Sequence, residues 1–100
     1  MNTANEIPGL DRVIHEPARL AVLAILSAAE SADFLYLLRE TGLTKGNLSA
    51  HLARLESAGY VEIEKGYVGK LPQTICRMTV AGRSAFENYR QQLGDFLKSL

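Results

Sequence analysis

The sequence predicts an α+β fold, mainly α. Three observations carry the prediction. Apolar residues recur at helical spacing from Leu10 to Leu55, the period then changes to alternation between Val61 and Thr79, and a last stretch, 80–100, returns to spacings of three and four. The expected order is three helices, a two-stranded β-hairpin and a long C-terminal helix.

Composition sets the frame for each element. The chain has 100 residues, 47% of them hydrophobic, enough for one domain with its own core and too many for a disordered segment. Eleven Lys and Arg balance eleven Asp and Glu. A net charge of zero offers no global attraction to nucleic acid, so any such binding has to rest on where the basic residues sit. Cys76 is the single cysteine, which excludes an internal disulfide and suits a reducing compartment. No signal peptide is legible at the start, and the apolar run from Leu20 to Leu26 is far short of the ~20 residues that span a bilayer. A cytoplasmic protein without a membrane partner is expected.

Residues 1–9 are polar and end in Pro8-Gly9, as a flexible arm would. Leu10, Val13 and Ile14 could contact a core from a short helical turn. Pro17 suits the first turn of the first long helix, where its missing N–H costs nothing, and that helix should run to about Ala29. Ser31 opens the second helix, with Asp33 in its first turn and Phe34, Leu35, Leu37 and Leu38 as its apolar set, and Gly42 stops it.

Thr44 caps the third helix, 44–58, because a threonine hydroxyl accepts from a free first-turn N–H. Gly59 ends it by entering the left-handed region. Leu48, Leu52 and Leu55 form its buried stripe, while Lys45, Asn47, Ser49, Ala50, Ala53 and Arg54 leave a small, polar and basic opposite face. Two short helices joined through Gly42 make a helix-turn-helix, whose second helix is the one placed in a DNA groove.

Val61, Ile63 and Lys65 alternate with Glu62 and Glu64, and Thr74, Cys76 and Met78 alternate with Ile75 and Arg77. The loop between these strands, 66–73, contains two glycines and Pro72, and its tip carries Lys65, Tyr67 and Lys70. Thr79 caps the final helix. There Phe86, Tyr89, Leu93, Phe96 and Leu100 follow at spacings of three, four, three and four, with Leu97 beside them. This heptad-type seam requires a partner surface, either the domain or a second copy.

Three stretches together resemble the winged helix-turn-helix transcriptional regulators of the ArsR/MarR type, particularly small stand-alone winged-helix DNA-binding proteins. They are 14–23, 48–61 and 72–83, the last containing the Thr-x-x-Gly of Thr79 and Gly82. The resemblance covers roughly residues 10–89. It implies a winged helix-turn-helix domain over 10–79, with a two-stranded hairpin wing, and a dimerisation helix over 80–100. It also implies double-stranded DNA as partner, recognition by helix 44–58 in the major groove, a wing at 65–74 on the backbone or minor groove, and a homodimer built by the terminal helices. Metal-sensing relatives carry paired cysteines near the recognition helix. This chain has none, so no metal site and no cofactor are expected.

The DNA-contacting set is then Thr44, Lys45, Asn47, Ser49, Ala50, His51, Arg54, Lys65, Lys70 and Arg77. Asn and Arg suit base edges, while Lys and Ser suit phosphates. For His51 a packed position competes with a phosphate contact, and Lys70 is the foremost single candidate. The dimer set is Leu10, Val13, Ile14, Phe86, Tyr89, Leu93, Phe96, Leu97 and Leu100. Cys76 reads as a small buried hydrophobe. No nucleophile–base set, paired carboxylates or phosphate loop can be assembled, so an enzyme is not expected. The competing functional reading is a winged-helix protein–protein interaction module without DNA binding. A small-molecule or protein effector, seated between dimer helices near Phe86, Tyr89 or Phe96, is a further expected partner.

Overall fold

The computed structural model describes residues 9–100. Residues 1–8 of the expected arm lie outside the described residues. The elements are α1 (Pro17–Ala28), β1 (Ala32–Asp33), α2 (Phe34–Thr41), α3 (Lys45–Ser57), β2 (Val61–Val68), β3 (Leu71–Met78) and α4 (Val80–Lys98).

Each helix boundary has a local chemical cause. The Glu16 carboxylate accepts from the Arg19 N–H at 2.8 Å and caps α1, with Pro17 in its first turn. Asp33, rather than Ser31, caps α2 by accepting from the Tyr36 N–H. Thr44 caps α3 through the Asn47 N–H at 3.1 Å, and Thr79 caps α4 through the Gly82 N–H at 2.9 Å. The end of α3 is a Schellman turn: Gly59, at φ +81°, donates to the Glu56 carbonyl, and Tyr60 donates to that of Leu55, both at 2.9 Å.

The sheet departs from the two-stranded expectation. It has three antiparallel strands in the order β1-β3-β2, with Ala32 opposite Cys76 and Asp33 opposite Ile75. Two residues carry no readable period, so β1 had no signature in the sequence. The hairpin is also tighter than expected. Pairing is unbroken from Val61↔Met78 to Val68↔Leu71, so most of the expected loop is strand and only Gly69-Lys70 turns. Gly69, at φ +62°, takes the first turn position, which suits a primed hairpin turn. The stretch 10–15 forms the expected short helical turn, closed by the His15 N–H donating to the Asp11 carbonyl at 2.7 Å and held by the Asp11 carboxylate accepting from the Val13 N–H at 2.8 Å.

One core serves every element. Ile14, Val22, Leu23, Leu26, Leu37, Leu48, Leu55 and Cys76 are fully enclosed, and Leu52, Val61, Phe86 and Tyr89 nearly so. Phe86 and Tyr89 of α4 belong to this core together with residues of the elements before it.

The Thr-x-x-Gly motif has a steric explanation. The Thr79 N–H donates to the Tyr60 carbonyl at 3.0 Å, and its hydroxyl donates to that of Gly59 at 2.6 Å. A Cβ on Gly82 would lie 2.1 Å from the Tyr60 carbonyl oxygen. Glycine is therefore what lets the first turn of α4 rest directly on the backbone joining α3 to β2.

Candidate nucleic-acid interface

The α3 stripe of Leu48, Leu52 and Leu55 is buried, which fixes the rotation of the helix. Lys45, Gly46, Asn47, Ser49, Ala50, Ala53 and Arg54 are consequently all exposed. That surface carries two cations, Lys45 and Arg54, and one acid, Glu56, near its C-terminal end. Its middle is Gly46, Ala50 and Ala53, small enough for a duplex to approach the helix backbone closely. Gly42, at φ +70°, turns the chain from α2 into α3 and completes a helix-turn-helix.

The hairpin has two faces with different chemistry, set by the register. Val61, Ile63, Lys65 and Tyr67, with Met78, Cys76, Thr74 and Pro72 opposite them, share the face that turns towards α3. Lys65, Ile63 and Thr74 line an open groove of about 690 Å³ together with Ser49, Leu52, Ala53 and Glu56 of α3, and with Phe34. Glu62, Glu64, Ile75 and Arg77 occupy the other face.

These positions sort the sequence-derived candidates. Thr44, Lys45, Asn47, Ser49, Ala50 and Arg54 lie together on one side of α3, with Lys65 across the groove and Lys70 at the hairpin tip. Among the described residues, Lys45, Arg54, Lys65 and Lys70 form no ion pair.

Two candidates are placed elsewhere. Arg77 lies on the far face of the hairpin and pairs with Glu64 at 3.2 Å, because odd and even strand positions point to opposite sides. His51 is half-buried on the α1 side of α3. Its Nδ1 stands 3.2 Å from Nη1 of Arg19 and 3.9 Å from the Glu16 carboxylate. The imidazole is held between the Arg19 guanidinium and the Glu16 carboxylate. The packed reading of His51 is thus the one its surroundings favour. Arg19 and Phe34 had no place in the sequence-derived site. Nothing in their local pattern reveals contacts made across 32 residues or at a groove floor.

The expected dimer set also divides. Leu10, Ile14, Phe86 and Tyr89 are enclosed by their own chain and offer almost no surface to a second copy. Val13 and Leu93 are half-buried against the core. Phe96 and Leu97 in the last turns of α4 and Leu100 just past its end are exposed, as is Val80 at its start. Enclosure of Phe86 and Tyr89 also removes both from the expected effector pocket, leaving Phe96.

Perturbed titrations fall outside this interface. The Tyr60 hydroxyl donates to the Asp11 carboxylate, and that hydrogen bond, helped by burial and by the negative charge, pushes the phenol up to about 12. Burial, with Asp33 and Glu56 nearby, pushes the Cys76 thiol up to about 11. Among the described residues no group of three His, Cys, Asp or Glu side chains is gathered as metal ligands. No described helix is long and apolar enough to cross a membrane.

A helix-turn-helix followed by a hairpin laid beside its second helix defines the winged class of helix-turn-helix proteins. The chain belongs to the winged helix DNA-binding domain family, whose model matches residues 18–97. An uncharacterized protein of Methanocaldococcus jannaschii is 35% identical over 89 residues, which is 89% of this chain and 97% of that one. Among solved structures, a transcriptional regulator homologue from Pyrococcus horikoshii superposes with a TM-score of 0.83 at 25% identity, covering 89% of this chain and 88% of that one. An ArsR family transcriptional regulator, RHA00566, shares the fold with a TM-score of 0.58 at 21% identity, over 89% and 87% of the two chains. The regulator-type winged helix read from the sequence is borne out.

Proposed function

We propose that this chain is a sequence-specific, DNA-binding transcriptional regulator that acts as a homodimer. The observation that carries the reading is the exposed face of α3, with Lys45, Asn47 and Arg54 around small residues and a single acid, Glu56, near its C-terminal end, set beside a hairpin that brings Lys65 and Lys70 to the same side. Asn47 and Arg54 suit bidentate contacts to base edges in a major groove, while Lys45, Lys65 and Lys70 suit the flanking phosphates.

Dimerisation supports this reading energetically. A neutral chain with few basic groups at its interface binds DNA weakly alone, whereas two copies double the contacts. Phe96, Leu97 and Leu100 form an exposed apolar end of α4 fit to join them. Two α3 helices would then enter successive major grooves about 34–36 Å apart on a pseudo-palindromic site.

Selection of bound duplexes from a random pool, followed by titration against the best sequence, tests the proposal. A two-fold related consensus is expected. If three lysines per protomer meet phosphates, log Kd should change with log salt by a slope of about 5 in magnitude. A folded protein with no affinity for any duplex at low salt would refute it and favour the protein-interaction reading.

A further inference from the structure

The tip of the hairpin has the wrong chemistry for simple phosphate contact. Tyr67, Val68 and Leu71 are 75%, 59% and 72% exposed, and Pro72 is exposed beside them. The segment 65–74 contains no acid, and its only charges are Lys65 and Lys70. A hairpin that merely followed the sugar–phosphate backbone would be served by polar side chains. Val68, Leu71 and Pro72 have nothing to offer a phosphate oxygen and Tyr67 offers only its hydroxyl, but all four can contact sugars and the faces of bases.

We propose that this tip is an apolar wedge that enters the minor groove next to α3's major-groove site and kinks the duplex by unstacking a base step. The inference rests on the DNA-binding reading above and adds to it a deformation and the residues that cause it. Three features argue for DNA as the occupant. Tyr67 and Pro72 continue the same hairpin face as Lys65 and Thr74, which line the groove against Ser49 and Ala53 of α3, so the tip is continuous with the proposed interface. Lys65 on the strand and Lys70 in the turn add positive charge to the same end of the hairpin, complementary to the phosphates that border a minor groove. Finally, Lys65 to Val68 extend beyond Ile63, the last half-buried residue of β2; at ~3.3 Å per residue they reach about 13 Å, more than the ~7.5 Å depth of the groove.

The hairpin is also stiff enough to act as a wedge. Its ladder is paired to the last residues before the turn, and that turn is only two residues long. Apolar wedges in the minor groove bend DNA by about 20–90° towards the major groove. Pyrimidine–purine steps unstack most readily, so the wedge confers a preference for such a step at a position where no base edge is read.

The experiment uses the full chain and short duplexes labelled at both ends, with either a central TA step or a central A-tract. Anisotropy reports binding and energy transfer between the ends reports bending. The variants are Tyr67→Ser/Leu71→Ser, whose exposed positions leave the core untouched, and Arg54→Ala. The wild type is expected to bind and bend the TA duplex, with a smaller bend on the A-tract. The tip variant should still bind, weakened by about tenfold at most because phosphate contacts dominate affinity, while the duplex stays straight. Arg54→Ala should weaken binding but bend whatever duplex it occupies. A tip variant that bends DNA like the wild type overturns the wedge and leaves the DNA-binding reading intact. A folded wild type that binds neither these duplexes nor any from the random pool at low salt overturns both. Loss of anionic-vesicle binding on the tip substitution, with bending unchanged, assigns the tip to a lipid surface and overturns the proposal.

Discussion

Substituting Gly82 with alanine tests how α3, the hairpin and α4 are held together. A Cβ at this position lies 2.1 Å from the Tyr60 carbonyl oxygen, 2.8 Å from its carbon and 2.9 Å from Cα. All three are backbone atoms, so no side chain can swing aside, and the helix or the β2 entry has to move by about 1 Å to restore van der Waals distance. Overpacking of this kind costs about 1–3 kcal/mol. Displacement also strains the Thr79 N–H and hydroxyl bonds to the Tyr60 and Gly59 carbonyls, each worth about 1 kcal/mol. Alanine returns about 1 kcal/mol of helix propensity. The net expectation is a loss of about 1–4 kcal/mol, or roughly 5–25 °C in Tm for a domain this size. Urea titration and thermal melts followed by circular dichroism at fixed protein concentration measure it. Gly94→Ala is the matched control: it lies in the same helix, a Cβ there meets nothing within 4 Å, and a small gain in stability is expected. A Gly82→Ala protein as stable as Gly94→Ala would refute the steric account of the motif.

The remaining predictions concern charge, assembly and titration. Arg54→Ala should weaken binding of the selected duplex by about tenfold or more while moving Tm little, because its side chain is exposed and makes no ion pair among the described residues. Leu97→Asp places a charge on the exposed end of α4; sedimentation should report monomers with an unaltered circular dichroism spectrum, and an intact dimer would remove this surface from the assembly. Tyr60 has a folded pKa of about 12 against an ordinary 10, so the folded state holds its proton more tightly. That stabilisation is complete below pH 10 and is lost as pH rises from 10 to 12. Melts across this window should therefore fall less steeply for Tyr60→Phe than for wild type. Cys76, enclosed and with its pKa raised to about 11, should resist a thiol reagent at neutral pH until the protein is unfolded.

The sequence by itself determined the order of the long helices, the hairpin, and which side of α3 faces out. These follow from local rules: a period of 3.6 or 2, hydroxyl caps at Thr44 and Thr79, and glycines at 42 and 59 where the backbone must turn left-handed. Leu48, Leu52 and Leu55 alone were enough to place Lys45, Asn47 and Arg54 on one surface. Only the tertiary structure decided questions that depend on contacts between distant segments. Strand β1 exists because Ala32 and Asp33 meet Cys76 and Ile75, more than forty residues away. His51 is drawn aside by Arg19, and Arg77 is turned to the far face by the register that pairs it with Glu64's side of the hairpin. The seam of α4 looked continuous as a heptad, yet its first half closes the core and only its last two turns remain available to a partner. A one-dimensional pattern records that a residue must be buried; which surface buries it is settled when the chain has folded.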